Sequence, residues 1–178
     1  DMLQSGEESL KALEAAAIAA RSAYSAAAAA LSKAREKAAA ALEKAVGAEL
    51  PDLKLGAARF IVDRQVDESR IAASGYDQVA FHVQTNPGTQ AGPILKVASG
   101  GELSRFMLAL KVVLADRGSA PVLIFDEIDT GVGGAVADAI GRRLARLAGK
   151  VQVLTVTHAP QVAARAQSHL LIEKQAIE

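Results

Sequence analysis

Apolar and small residues recur along the first fifty positions with a seven-residue spacing. With Leu3 as the first seam position, Leu3, Leu10, Ala17, Tyr24, Leu31, Ala38 and Ala45 form one series. Three residues on, Gly6, Leu13, Ala20, Ala27, Ala34, Ala41 and Ala48 form the other. Charges such as Glu7, Glu14, Arg21, Arg35, Lys37 and Lys44 mostly flank this seam. The pattern predicts one strand of a coiled coil, and its many alanines favour the helix intrinsically. No second heptad stretch of matching length is present to pair with it, so a long helix lying on a domain surface also fits. Gly47 and Pro51 are expected to end the helix.

After Pro51 the period changes. Residues 57–66 and 78–85 read as two strands of an antiparallel hairpin, joined by the polar stretch 67–77. In the second strand Val79, Phe81 and Val83 alternate with Gln78, Ala80, His82 and Gln84, which puts His82 on a polar, exposed face. Asn86-Pro87-Gly88 opens a Gly/Pro-rich loop over 86–93. From Leu103 the apolar positions 103, 106, 107, 110, 113 and 114 mark one helical face, closed by Gly118. Val122-Leu123-Ile124-Phe125 reads as a strand buried on both faces, as in parallel sheets. A helix over 135–148 carries Val136, Ile140, Leu144 and Leu147 on one face. Its Arg142, Arg143 and Arg146 read as a solvated face, or as contacts to DNA phosphates. A strand over 151–156, a short helix over 160–166 and a strand over 168–173 complete a β-α-β-α-β rhythm. That rhythm implies a parallel sheet with right-handed crossovers.

Composition narrows the chemistry. Lys+Arg and Asp+Glu balance at 20 each in 178 residues, so there is no bulk electrostatic footprint for nucleic acid or an acidic membrane. Without cysteine there is neither a thiolate metal site nor a Cys nucleophile. The alanine run at 26–30 is too short and too weakly apolar to span a bilayer, so no membrane partner is expected. The chain opens on Asp1 inside a helical pattern, which reads as part of a longer protein.

Three polar clusters stand out. Asp126 and Glu127 follow the apolar strand, where open α/β sheets place their ligands. His158 ends the next strand, on the same sheet edge. Ser99-Gly100-Gly101-Glu102 opens a helix and carries two readings. It matches a capping box, and its two glycines also leave backbone N–H groups bare at a positive helix end, a place for an anion. A carboxylate after a buried strand suits Mg²⁺ bound with nucleotide phosphates, and a second beside it can orient a water.

Together these residues resemble the ABC-type ATPases. Ser99-Gly100-Gly101-Glu102 is similar to the signature motif and Leu123–Glu127 to the Walker B strand. Ile128-Asp129-Thr130-Gly131 is similar to the D-loop and Thr157-His158 to the switch histidine. The motifs fall in family order, with 27 residues from Ser99 to Asp126 and 32 from Asp126 to His158. The fuller wording of Val97–Arg105, Ile124–Gly131 and Thr157–Ala163 resembles the bacterial DNA-repair branch of the SMC-like ATPases. The resemblance implies an α/β fold, the C-terminal lobe of an ABC-type ATPase head at 51–178, with a parallel sheet, flanking helices and a small β-hairpin. A returning coiled-coil arm at 1–50 precedes it. It implies ATP and Mg²⁺ as cofactors, Asp126 as the metal residue, and Glu127 and His158 as catalytic. Ser99, Gly100 and Gly101 would bind the γ-phosphate of ATP held by a second head, Glu102 completes this cofactor-binding motif in place of the glutamine of many transporters, and Asp129 would sit where two heads meet. Implied partners are the N-terminal lobe of the same protein, a second head in an ATP-dependent homodimer, and DNA through the intact protein. The implied setting is the cytoplasm, at the nucleoid, in double-strand-break repair.

One absence limits this. No G-x-x-x-x-G-K-[ST] occurs, so the phosphate cradle is missing and this stretch alone is expected to be inactive. Three alternatives also fit parts of the pattern: the head of another SMC-like ATPase, a structural coiled-coil module, and an aspartate-dependent Mg²⁺ phosphotransferase similar to the haloacid dehalogenases. The last needs Asp-x-Asp, whereas Asp126 and Asp129 are separated by two residues.

Overall fold

The computed structural model describes residues 2–115, 117–118 and 120–173, with side chains from residue 6 onward. Its elements run α1 (Met2–Glu49), a 3-10 turn (Pro51–Leu53), β1 (Arg59–Val66), β2 (Asp77–Gln84) and β3 (Gly92–Pro93). They continue with α2 (Ile94–Val97), α3 (Gly100–Val113), β4 (Val122–Phe125), α4 (Gly134–Ala148), β5 (Gln152–Thr155) and α5 (Pro160–Ala163). One sheet has the order β1-β2-β3 and a second pairs β4 with β5 in parallel. Contacts group the chain into two units: Asp1–Ala41 with Val62–Ala80, and Leu42–Ile61 with Phe81–Glu178.

In the first unit the seam of α1 stays largely open: Leu10, Leu13 and Leu31 are 57%, 68% and 39% exposed. The helix is instead covered along Tyr24, Ala28 and Ser32, spaced four apart on one face. Tyr24 Oη accepts from the Ala72 amide at 3.1 Å. Ser32 Oγ donates to Asp77 Oδ1 at 2.8 Å, in a buried pair. Arg35 and Arg64 reach the same carboxylate at 3.2 and 3.3 Å. Burial alone would raise the Asp77 carboxyl, but the Ser32 and Arg35 hydrogen bonds and both guanidinium charges bring it below its ordinary value. The polar stretch 67–77 is thus more than a connection, because its end supplies the buried acid.

In the second unit α1 runs past Gly47 to Glu49, and Pro51 opens the 3-10 turn, where its missing N–H costs nothing. Val46, Leu50 and Leu53 are fully buried, as are Phe106 and Leu108 of α3 and Ile140 and Leu147 of α4. The Asn86 turn closes on Thr89, whose hydroxyl donates to the Asn86 carbonyl at 2.7 Å. The loop it opens ends in β3, antiparallel to β2 at His82↔Pro93 and Val83↔Gly92, a pairing the Gly/Pro content hides.

Several expectations are corrected. Of the alternating face of β2 only Val83 is buried, Val79 and Phe81 remaining 48% and 40% exposed, while His82 is half-buried. Phe81 does meet Phe60, ring centroids 5.3 Å apart. β4 is not buried on both faces: Val122, Ile124, Leu154 and Val156 leave one face of the β4-β5 pair open. The strand expected at 168–173 does not form, and Leu170, Leu171 and Ile172 are 84–92% exposed. An apolar run becomes a strand only against a neighbour, and no described residue pairs with it. The arginines of α4 are not one solvated face either, since Arg143 is buried.

Candidate active site

The parallel register sets Phe125 beside Thr155, and the Val156 amide donates to the Phe125 carbonyl at 2.9 Å. Asp126-Glu127 and Thr157-His158 therefore leave the sheet on the same edge, as the spacing predicts. Asp126, Glu127 and His158 are all exposed. The Asp126 Oδ1 accepts from the Glu127 amide at 2.9 Å, which bends the chain immediately after the strand. Glu127 itself has φ 55°, the left-handed region that an L-residue enters at a cost of about 1–2 kcal/mol. Such strain persists where the surroundings over-determine it, often at active sites.

The surroundings here are Ile128, fully buried, and Asp129, 8% exposed. Asp129 Oδ2 accepts from the Thr157 hydroxyl, from the His158 amide at 3.1 Å and from the Ala159 amide at 3.0 Å. Burial opposes its charge, but these donors outweigh that and hold the carboxyl below its ordinary value. Asp129 thus fastens the loop after β4 to the loop after β5 and fixes the backbone of His158. That role for a buried carboxylate is invisible in spacing alone.

Ser99 lies in extended backbone and starts α3. Its amide and hydroxyl both donate to Glu102 Oε2, at 2.9 and 2.7 Å, and they hold the Glu102 carboxyl below its ordinary value. The helix-capping reading is thereby realised, with Ser99 and Gly100 exposed at the end of the helix. Behind them lies Arg105, which the motif reading gave no role. It is 6% exposed and its Nη1 lies 3.5 Å from the Thr130 carbonyl, a marginal hydrogen bond. Its Nε has no partner among the described residues. A Cβ on Gly101 would stand 3.2 Å from Arg105 Nη1 and 3.4 Å from that carbonyl, so a larger residue would need the guanidinium to give by a few tenths of an ångström. Arg105 falls four residues after Gly101, one turn along α3, and that spacing was the available signal.

The donor set suits one kind of metal. No group of three or more His, Asp or Glu residues gathers among the described residues, so there is no protein cage for an ion. Asp126 offers exposed hard oxygens, which fits Mg²⁺ arriving with phosphates and keeping waters of its own. A cleft of about 320 Å³ between α4, β5 and residues 162–168 contains none of the predicted site residues. No described helix is long and apolar enough to cross a membrane.

No family model matches the chain. It is 50% identical over 130 residues to the DNA repair protein RecN of Rickettsia conorii, 73% of this chain and 24% of that protein. It is 43% identical over 130 residues to RecN of Vibrio cholerae and 48% identical over 141 residues to RecN of Streptomyces coelicolor. The chain spans about a quarter of the length of these relatives. Among solved structures it resembles an Smc head domain with a coiled coil and joint from Pyrococcus yayanosii, with TM-score 0.51 and 17% identity, over 71% of this chain and 23% of that one. It also resembles an Smc head solved with the C-winged helix domain of ScpA, with TM-score 0.50 and 20% identity, over 74% and 38%. The chain thus has the fold of an SMC head and is 43–50% identical to a part of these RecN proteins.

Proposed function

We propose that the chain is the C-terminal part of an SMC-like ATPase acting in DNA double-strand-break repair, at work in the cytoplasm on the nucleoid. The observation that carries this is the left-handed Glu127 beside Asp126, on the sheet edge it shares with an Asp129-fixed His158. Strain of this kind, at strand ends where ligands bind, is hard to explain as packing. When bound with ATP, Mg²⁺ neutralises charge on the transferring phosphate. Asp126 would hold the ion. Glu127 orients the attacking water and takes its proton at a carboxylate oxygen. His158 donates to a γ-phosphate oxygen from a backbone that Asp129 keeps in place.

Residues 1–50 form the returning coiled-coil arm and 51–178 the C-terminal lobe. The phosphate cradle comes from the N-terminal lobe, which lies across the open β4-β5 face of Val122, Ile124, Leu154 and Val156. This chain alone is therefore inactive. Ser99, Gly100 and Gly101 bind the γ-phosphate of ATP on a second head, and for this the Ser99 hydroxyl turns from Glu102 to the phosphate. Asp129 serves the head contact indirectly, by holding the loop whose exposed Thr130 and Gly131 meet the partner. ATP-driven pairing of heads tethers DNA, and hydrolysis releases it. The phosphotransferase alternative loses support because Asp129 turns its Oδ2 to three donors of the 157–159 loop.

The test mixes this chain with the N-terminal lobe and compares ATP turnover with Glu127→Gln. Turnover that needs both pieces and is lost in the variant is expected. Wild-type turnover in Glu127→Gln would remove Glu127 from the chemistry, and turnover by this chain alone would overturn the division of the site.

A further inference from the structure

The segment from the end of α1 through the 3-10 turn is fastened to α4 at one end and to the loop that carries Asp129 at the other. Arg143 of α4 is 8% exposed and donates to Glu49 Oε2 at 2.7 Å, to the Glu49 carbonyl at 3.4 Å and to Asp52 Oδ2 at 3.1 Å. Its Nη1 donates to the Ala139 carbonyl of its own helix at 3.2 Å. Arg146 takes the other Glu49 oxygen at 2.6 Å. Near the opposite end of the segment, Lys54 Nζ donates to the Gly131 carbonyl at 3.3 Å. Lys54 closes the 3-10 turn in left-handed backbone, φ 58°, with its amide bonded to the Pro51 carbonyl.

Residues 49–54 and 131–143 therefore form a ring, tied at both ends and packed across the middle where the turn meets α4. We infer that Arg143 and Lys54 are positioning residues that make the base of the arm and the Asp129 loop move as one piece. The inference rests on the ATPase reading above and deepens it by giving the arm a route to the site. The route is short. A displacement arriving along α1, one unbroken helix to Glu49, reaches Gly131 through Lys54 and the second half of α4 through Arg143. From Gly131 it is two residues to Asp129, which fixes His158.

The test has two arms. In the 178-residue chain itself, hydrogen exchange reads the Thr130 and Val132 amides, which donate to the Glu127 and Asp129 carbonyls. Lys54→Met should speed their exchange about tenfold while Lys54→Arg leaves them as in the wild type. In the protein joined to its N-terminal lobe, Lys54→Met and Arg143→Lys should lower kcat for ATP by about tenfold with KM unchanged, within the hundredfold that roughly 1 Å of misplacement can cost. Lys54→Arg should restore kcat. Arg143→Lys keeps the charge but loses the fork; should it fail to fold, the exposed Lys54 still decides. Wild-type exchange in Lys54→Met, or a kcat loss that Lys54→Arg does not restore, would overturn the coupling. If no turnover sensitive to Glu127→Gln exists, the ATPase reading fails, and the exchange arm still judges the tie by itself.

Discussion

Gly141→Ala tests how tightly the helix behind the site is packed. Gly141 lies inside α4, where alanine is favoured over glycine by about 1 kcal/mol. On propensity alone the change should stabilise. The neighbours oppose it. A Cβ at this position would stand 2.9 Å from Arg165 Cγ, 3.0 Å from the Gln161 carbonyl oxygen and 3.3 Å from Val162 Cα. Carbon contacts settle at about 3.5–4.0 Å. Arg165 could swing aside only by straining its 2.8 Å bond to Asp138, and the other two atoms are backbone of α5 and move only with it. Overpacking costs about 1–3 kcal/mol, and the upper part of that range applies because two of the three contacts are backbone. The net loss is then about 1–2 kcal/mol, a fall in Tm of roughly 2–8 °C for a chain of this size. Gly47→Ala is the control: it is also inside a helix, with nothing within 4 Å of its Cβ, and should gain about 0.5–1 kcal/mol. Thermal unfolding followed by circular dichroism compares the two. If Gly141→Ala raises Tm as Gly47→Ala does, the α4-α5 crossing is looser than these distances require.

Asp77 and Asp129 are both held below their ordinary carboxyl values, so unfolding takes up protons in acid. Their stabilisation is complete above the unfolded carboxyl value of about 3.9 and is lost as pH falls through the folded values. Tm should drop steeply below about pH 4, and Asp77→Asn should flatten that slope; an unchanged slope would refute the account. Glu127→Gly should leave the unfolding free energy within about 1 kcal/mol of the wild type, since relief of the left-handed strain offsets the entropy of glycine, while abolishing ATP turnover in the joined protein. Ser99→Arg should block head pairing, read as dimer mass with ATP, and leave Mg-ATP binding by the same head intact. Pairing at wild-type strength would refute a role for Ser99 on the partner's nucleotide.

The sequence was most informative where local rules suffice. Ser99 three residues before Glu102 announces the start of α3, and apolar strands ending in Asp126 and Thr157 announce the shared sheet edge. It was least informative where a residue answers to something distant. Nothing near Asp77 says that Ser32, Arg35 and Arg64 will gather on it. Arg143 shares a polar stripe with Arg142 and Arg146, and only the fold turns it inward to Glu49. The alternation of β2 and the apolar run at Leu170–Ile172 state a preference for cover that this stretch does not satisfy. Periodicity reports what a segment would bury, and the neighbours decide whether it does.

The positive φ of Glu127 also bears on which variants can survive at that position. Backbone and chemistry select there for different things. Glycine and asparagine suit the left-handed turn but supply no carboxylate, so such proteins would accumulate normally and do nothing. Valine or isoleucine suits neither and would be cleared as misfolded chains. A saturation library at 127, scored for abundance and activity separately, should therefore split its losses into two populations. Aspartate, a carboxylate that tolerates this backbone, is the replacement expected to retain the most of both.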